Sequence, residues 1–149
     1  MRWAQPEGEW VTSSAESAAA IAARLGVKPG QVVQELGWDE DVDAQLRAAV
    51  AAAIDADLVD ADFEDVVDVV LFWFRDGDDD LVEALMDAIH PLTDQGVIWL
   101  LTPKPGRDGF VEPEEITEAA PSAGLQATST INAAPSWQGT RLVAPKAKR

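Results

Sequence analysis

Residues 27–39 read VKPGQVVQELGWD, and this stretch indicates the kind of fold that the chain adopts. A Pro-Gly turn at Pro29 and Gly30 leads into a short apolar strand over residues 32–36. Gly37 then predicts a tight turn that delivers the backbone into a helix. In α/β proteins such a turn lies at the carboxyl end of a central strand, where ligands usually bind.

Two longer apolar runs predict further buried strands. Residues 66–74 form a near-continuous run of β-branched and aromatic residues, and residues 97–101 form another. Such runs are typical of strands covered on both faces, so Trp73 and Trp99 are predicted core residues.

Helices are predicted between these strands from apolar periodicity and capping residues. The predicted helices span residues 15–25, 39–54, 79–94 and 113–120, and two antiparallel strands span residues 124–131 and 139–144. The alternation predicts an α/β fold with a three-layer, Rossmann-like sheet that is mostly parallel and closes with an antiparallel C-terminal hairpin.

The 149 residues fit one domain with a sizeable core. We expect residues 1–12 to form a flexible N-terminal arm, because they mix tryptophan, proline and glycine without periodicity. The single domain is predicted to span residues 13–145, and a basic tail occupies residues 146–149.

Charge is strongly acidic and concentrated in one segment. The chain has 27 acidic and 11 basic residues, which gives a formal net charge of -16. From Asp39 to Asp80 there are fifteen acidic residues and only two basic ones, Arg47 and Arg75. Such a field repels phosphate backbones and favours a basic partner protein, so direct nucleic-acid binding is not expected. The alternative is that the charge only keeps the protein soluble.

Several classes of function are disfavoured by composition. There is no cysteine, and the one histidine, His90, is a candidate general base with no identified acid or nucleophile beside it. We therefore predict no catalytic set and no metal site. No stretch approaches the length of a membrane span and no signal peptide is evident, so we expect a cytoplasmic protein without membrane contact.

Four segments together carry a resemblance to a known fold family. Residues 26–37, 63–71, 94–103 and the segment from Gly124 onward are similar to strands and turns of Rossmann-like S-adenosylmethionine-dependent methyltransferases. More closely, the chain resembles an uncharacterised actinobacterial domain-of-unknown-function family with a reduced, methyltransferase-like fold. The resemblance covers about residues 13–145 and implies a site at the end of the first strand.

Two departures from the methyltransferase pattern bear on the cofactor. Methyltransferases have several glycines after the first strand, whereas here Gly37 is followed by Trp38 and Asp39. Only about thirty residues separate the first strand from the strand at residues 66–74, which leaves no room for the family's second and third strands. We therefore expect no cofactor, with S-adenosylmethionine as the alternative.

Candidate ligand-binding residues lie in two places. Glu35, Gly37, Trp38 and Asp39 end the first strand, where carboxylates can hold hydroxyls or an amine. The alternative is structural, with Gly37 shaping a turn, Trp38 packing on it and Asp39 capping a helix.

Lys104 and Arg107 follow the third strand, on the side where ligands bind. In an acidic molecule these two cations are candidate contacts for a phosphate or carboxylate, and a solvated loop is the alternative.

Candidate partner-binding residues are Asp76, Asp78, Asp79, Asp80 and Trp137. The four aspartates suit a basic surface, although oxygen ligands of this kind also bind Mg²⁺ or Ca²⁺, and helix capping explains them equally. Trp137 is placed in the predicted hairpin turn, where tryptophan is a frequent interface residue, with burial as the alternative.

The function predicted from these features is a non-catalytic interaction or regulatory protein whose acidic segment, from Asp39 to Asp80, binds a basic partner protein. One alternative is an enzyme or sensor that binds S-adenosylmethionine or a nucleotide-like molecule at the end of the first strand. A second alternative is an acidic mimic of nucleic acid. The edge strand of the closing hairpin also suggests a homo-oligomer.

Overall fold

The computed structural model describes residues 18–144. The predicted arm, the predicted tail and the predicted start of the first helix therefore lie outside the described residues. In chain order the elements are helix α1 over residues 18–25, β1 (Val33–Leu36), α2 (Ala44–Ile54), β2 (Val67–Trp73), α3 (Leu81–Ile89), β3 (Leu92–Pro103), α4 (Pro113–Ser122), β4 (Gln126–Ala134) and β5 (Trp137–Val143).

The five strands form one mixed sheet in the order β1-β2-β3-β5-β4. The strands β1, β2 and β3 are parallel neighbours, so their carboxyl ends meet at one edge. β5 pairs antiparallel with both β3 and β4. The prediction of an α/β fold is confirmed, and the antiparallel pair at the C-terminus is present in the sheet.

Two clusters of buried residues pack on the faces of the sheet. β2 contributes to both, because alternate side chains of its apolar run point to opposite faces. Val70 and Phe72 pack with α3 and α4, whereas Leu71 and Trp73 pack with α1 and α2. Trp99 is 1% exposed, and its indole N–H donates to the Leu25 carbonyl oxygen at 3.0 Å. The prediction that Trp73 and Trp99 are core residues is confirmed.

Several predicted boundaries are wrong. α2 begins at Ala44 and not at Asp39, because the Asp43 side chain accepts from the Leu46 N–H and caps the helix there. α3 ends at Ile89, where Pro91 also predicts a bend or an end, but the segment from Leu92, predicted as helix and turn, is the first part of β3. The observed hairpin turn is shorter than the predicted one, because β4 extends to Ala134 and β5 begins at Trp137.

The segment between α2 and β2 is short, as the sequence predicts. Where methyltransferases have further strands beside the first one, this segment makes a single backbone bridge to β1. Val59 forms one parallel bridge to Gln34 on the outer side of β1. Its N–H donates to the Val33 carbonyl oxygen at 2.9 Å, and its carbonyl accepts from the Glu35 N–H at 2.8 Å. Within residues 18–144 no helix has the length and hydropathy that crossing a membrane requires.

Candidate functional site

Glu35 lies near the end of β1, at the carboxyl edge of the sheet, and its carboxylate is hydrogen-bonded by other side chains of the protein. The residue is 8% exposed. Its carboxylate accepts two hydrogen bonds from the Arg47 guanidinium, at 2.5 and 2.8 Å, and one from the Trp73 indole N–H at 2.8 Å. The hydrogen bond to Glu35 also raises the pKa of Arg47 above its ordinary value. Both carboxylate oxygens of Glu35 are therefore occupied by the protein itself.

Gly37 is required by a close approach of two backbone segments. Its φ is +74°, and a Cβ at this position would lie 2.1 Å from the carbonyl oxygen of Trp73. Only glycine adopts this left-handed conformation without strain and also avoids the contact, because it has no Cβ. The turn is thus built for packing, which is the structural alternative that the sequence left open.

Trp38 and Asp39 project from the loop that follows this turn. Trp38 is 56% exposed and does not pack on the turn as the structural alternative proposed. The Asp39 carboxylate accepts from the Glu40 N–H at 2.7 Å, and the helix cap is Asp43 instead. The Glu35 carboxylate is buried and bonded internally, whereas Trp38 and Asp39 lie in the exposed loop, so the four candidates do not form one polar site.

Arg75, at the end of β2, joins the two acidic loops that follow β1 and β2. Its Nε and Nη2 donate to the two carboxylate oxygens of Asp41, at 3.0 and 2.6 Å. Its Nη1 donates to the Gly37 carbonyl oxygen at 2.9 Å and to the Asp78 carboxylate at 3.3 Å. The bond from Arg75 holds the pKa of Asp41 below its ordinary value, and the bond to Asp41 raises the pKa of Arg75.

Trp137 is a core residue, which is the buried alternative that the sequence left open beside a partner contact. It is the first residue of β5, is 3% exposed, and packs edge-on against Trp73 with ring centroids 4.9 Å apart. The Arg75 guanidinium lies 5.3 Å from its ring centroid, and the Trp137 indole N–H donates to the Asp41 carbonyl oxygen at 3.3 Å. The longer hairpin strands explain this burial, because they carry this residue into the sheet.

The four aspartates after β2 are exposed, and three of them have local roles. Asp78 bonds Arg75, Asp79 accepts from the Asp80 N–H at 2.8 Å, and Asp80 caps α3 by accepting from the Glu83 N–H at 3.2 Å. Within residues 18–144 no three histidine or acidic side chains are grouped so that they could hold a metal ion. The capping alternative therefore explains part of the run, and Asp76 and Asp79 keep solvent-facing carboxylates.

The loop after β3 borders an open cleft of about 500 Å³. The cleft is lined by Asp41, Pro103, Gly106, Arg107, Asp108, Ser136 and Trp137. Arg107 is exposed there, whereas Lys104 is half-buried and its backbone N–H donates to the Ser136 carbonyl oxygen at 3.0 Å. The structure thus brings Arg107 together with Asp41 and Trp137, not with Glu35.

His90 lies at the other end of the sheet. It caps the C-terminus of α3, before β3 begins, and borders a second cleft of about 590 Å³ with Glu64, Asp65 and Asp87. The amino ends of the parallel strands meet at this edge, so His90 does not join the residues around Arg75.

Sequence reasoning missed Arg47, Asp41 and Arg75 as the residues that organise the site. A usable signal was present, because Arg47 and Arg75 are the only cations in a segment of fifteen acids. In the fold, Arg47 pairs with Glu35, and Arg75 pairs with Asp41 and Asp78.

Comparison with solved structures shows that the fold resembles those of methyltransferases. The pyocyanin biosynthetic protein PhzM matches with a TM-score of 0.63 over 92% of this chain and 56% of its own, at 12% identity. Mitomycin 7-O-methyltransferase MmcR matches with a TM-score of 0.62 over 89% of this chain, at 15% identity, and this chain spans about half (54%) of MmcR. A TehB-like S-adenosylmethionine-dependent methyltransferase from Corynebacterium glutamicum matches with a TM-score of 0.53 over 95% and 97% of the two chains, at 13% identity.

The family follows from sequence comparison. Residues 22–146 match the model of a family described as proteins of unknown function (DUF3052), and the chain belongs to this family. Uncharacterized protein Rv2239c of Mycobacterium tuberculosis is 50% identical over 145 residues, which cover 97% of this chain and 91% of the mycobacterial protein. Uncharacterized protein Mb2263c of Mycobacterium bovis matches equally well. The predicted membership of an actinobacterial family with a methyltransferase-like fold is confirmed.

Proposed function

We propose that the protein is a non-catalytic interaction protein that binds a basic partner protein through its acidic edge. The acidic edge comprises the exposed carboxylates of the loops after β1 and β2, namely Asp39, Glu40, Asp76, Asp78, Asp79 and Asp80. The observation that supports the proposal is the position of Arg75, which bonds Asp41 in one loop and Asp78 in the other. The two loops are thereby held side by side at one end of the sheet.

The local charge balance favours a basic partner. Within residues 18–144 the ion pairs use only Arg47 and Arg75, and their acidic partners are Glu35, Asp41 and Asp78. Most carboxylates of the acidic edge therefore have no cation within the described chain. A surface rich in lysine or arginine would supply these charges and would associate rapidly at low salt.

The state of Glu35 supports a non-catalytic role. A carboxylate at the end of the first strand is the group best placed to bind a ligand hydroxyl or amine. Here Arg47 and Trp73 take both of its oxygens, and freeing one would leave a buried donor unsatisfied. The energetically favoured state of this strand end is the closed, internally bonded one.

A pair of matched variants tests the proposal. Glu40→Gln, Asp76→Asn and Asp79→Asn together remove three charges from the acidic edge without breaking an ion pair. Asp94→Asn, Glu114→Gln and Glu118→Gln remove three exposed charges elsewhere. Both triple variants and the wild type would be used to capture proteins from lysate of an actinobacterial host, at about 0.05 M and about 0.5 M salt.

The proposal expects one or more basic proteins that the wild type and the control triple variant retain at low salt and release at high salt. The acidic-edge triple variant should retain roughly tenfold less of these proteins, because it has lost three of the charges that attract them. Equal capture by both triple variants would show that net charge, and not this surface, governs binding.

A second candidate function is binding of S-adenosylmethionine or a similar nucleotide-like molecule in the cleft beside Arg107. The observation that favours it is the position of this cleft at the carboxyl edge of a methyltransferase-like sheet, next to the buried indole of Trp137. Arg107 supplies a cation for a carboxylate, and Asp41 and Asp108 supply acceptors for an amine or hydroxyls.

Calorimetric titration with S-adenosylmethionine and S-adenosylhomocysteine tests this second candidate. Saturable binding that Arg107→Ala weakens, and that the control Arg24→Ala on the exposed face of α1 leaves unchanged, would support it. No heat with either compound would reject it. Fluorescence of the exposed Trp38 gives an independent readout of binding near the same edge.

A further inference from the structure

The C-terminal part of the described chain differs from the rest in charge. The last acidic residue is Glu118, and residues 119–140 contain no charged side chain at all. In a protein of net charge -16, β4 and the tip that joins it to β5 carry no charge of their own, and a neighbouring charge is that of Arg141 in β5, whose guanidinium donates to the Thr128 hydroxyl at 3.1 Å. The acidic edge belongs to the loops after β1 and β2, on the opposite side of the sheet.

β4 is the outermost strand on this side and is long. It spans nine residues, and the side chains from Gln126 to Thr130 are exposed. Its only strand partner in residues 18–144 is β5, and no other backbone segment of this range is hydrogen-bonded along its outer side. The outward backbone N–H and C=O groups of β4 therefore have no strand partner within this range.

Natural proteins usually protect such an edge, and β4 has little of that protection. Charged side chains, prolines and covering segments are the common devices, along with bulges. Gln126–Ala134 contains no charge and no proline. Its two register irregularities lie near its ends, between Ala127 and Ser129 and between Asn132 and Ala134, and they leave a regular run over residues 129–132.

We propose that β4 pairs with β4 of a second copy in antiparallel orientation, so that two five-stranded sheets form one continuous ten-stranded sheet. A second copy fits because an antiparallel pair of identical strands is related by a two-fold axis, and each strand then offers the other the same donors and acceptors. The uncharged run over residues 129–132 meets its own copy without opposing like charges.

The carboxylates of the acidic edge oppose this pairing little, because they lie far from the two-fold axis, and the nearer acids are the exposed glutamates of α4, which packs beside β4. β2 is the fourth strand counted from the β4 edge, so seven strand spacings separate the β2 strands of the two copies. At about 4.8 Å per spacing this is roughly 34 Å, several times the screening length of about 8 Å at physiological salt. Added salt screens the repulsion between the α4 glutamates of the two copies and should strengthen the dimer, whereas it weakens binding of a basic partner at the acidic edge.

Sedimentation equilibrium of the full chain over a wide concentration range tests the proposal. The wild type should show a reversible shift from the 16.0 kDa monomer to a particle of twice that mass. Ser129→Lys with Thr130→Lys should raise the dissociation constant on the order of tenfold or more, because four lysines would be brought together around the two-fold axis. The control Gln45→Lys with Ala48→Lys makes the same charge change on the exposed face of α2 and should leave dimerisation unchanged.

Hydrogen exchange of the β4 amides provides a second readout that needs no variant. Exchange over residues 126–134 should slow as the protein concentration rises, while exchange in the loops of the acidic edge should not change. A protein that stays monomeric at every concentration and at high salt would overturn the proposal. A dimer that survives the lysine pair unchanged, with no concentration-dependent protection of β4, would overturn it as well. Neither result bears on the acidic edge, whose variants are separate.

Discussion

Replacing Glu35 by alanine tests whether this residue stabilises the fold or serves a ligand. The substitution removes the acceptor of the buried Trp73 indole N–H and of two bonds from Arg47. A hydrogen bond from a buried donor to a charged acceptor contributes about 2 kcal/mol, and the Arg47 pair adds about 1 kcal/mol because its guanidinium is 36% exposed. We expect a loss of about 3 kcal/mol of unfolding free energy, or about 6–12 °C in Tm for a chain of this size.

The assay is urea unfolding followed by tryptophan fluorescence, since Trp73 lies in the core and reports global unfolding. The midpoint should fall without a change in slope, because the surface exposed on unfolding stays nearly the same. Glu114→Ala, on the exposed side of α4, is the matched control and should change stability by less than about 0.5 kcal/mol. If Glu35→Ala were as stable as this control, the view that Glu35 is a structural residue would be refuted, and the strand end would again be a ligand-site candidate.

Three more substitutions probe the same end of the sheet. Gly37→Ala should cost at least about 2 kcal/mol, because it combines a left-handed backbone with a clash against the Trp73 carbonyl oxygen, and thermal unfolding measures it. Asp43→Ala should cost about 1 kcal/mol by removing the cap of α2, and a loss below about 0.3 kcal/mol in urea unfolding would contradict that role. Asp41→Asn tests pH dependence. Because Arg75 holds the pKa of Asp41 below its ordinary value, the stabilisation is present above about pH 4 and is lost as pH falls through the lowered pKa. The Tm difference between wild type and variant should therefore shrink between about pH 6 and about pH 3, and a constant difference would exclude this ion pair as its cause.

The sequence predicts those parts of the fold that depend on local pattern. The apolar run of β2 identifies a strand buried on both faces, and Gly26 ends α1 with a φ of +80° as expected for a helix stop. Pro113 begins α4 at the position that favours proline. These features follow from neighbours in the chain, so one sequence suffices to find them.

The candidate site is less predictable because its contacts join distant positions. Arg75 and Asp41 are 34 residues apart, and Trp137 and the Asp41 carbonyl are 96 apart. The first contact depends on the pairing of β1 with β2 and the second on how β5 enters the sheet, and no local pattern specifies either. For the same reason the sequence leaves both an exposed and a buried position open for Trp38 and for Trp137, and the fold exposes Trp38 and buries Trp137.

The strand order has a consequence for synthesis of the chain. β5 follows β4 in the sequence, yet it lies between β3 and β4 in the sheet. A nascent chain that has not yet extended past Trp137 therefore holds a nine-residue strand with two unpaired edges and no charge. Such a strand is prone to aggregate, so a message truncated before β5 should yield protein that depends on chaperones or is rapidly degraded. The strand that follows β4 out of the ribosome is thus the one that joins β4 to the rest of the sheet.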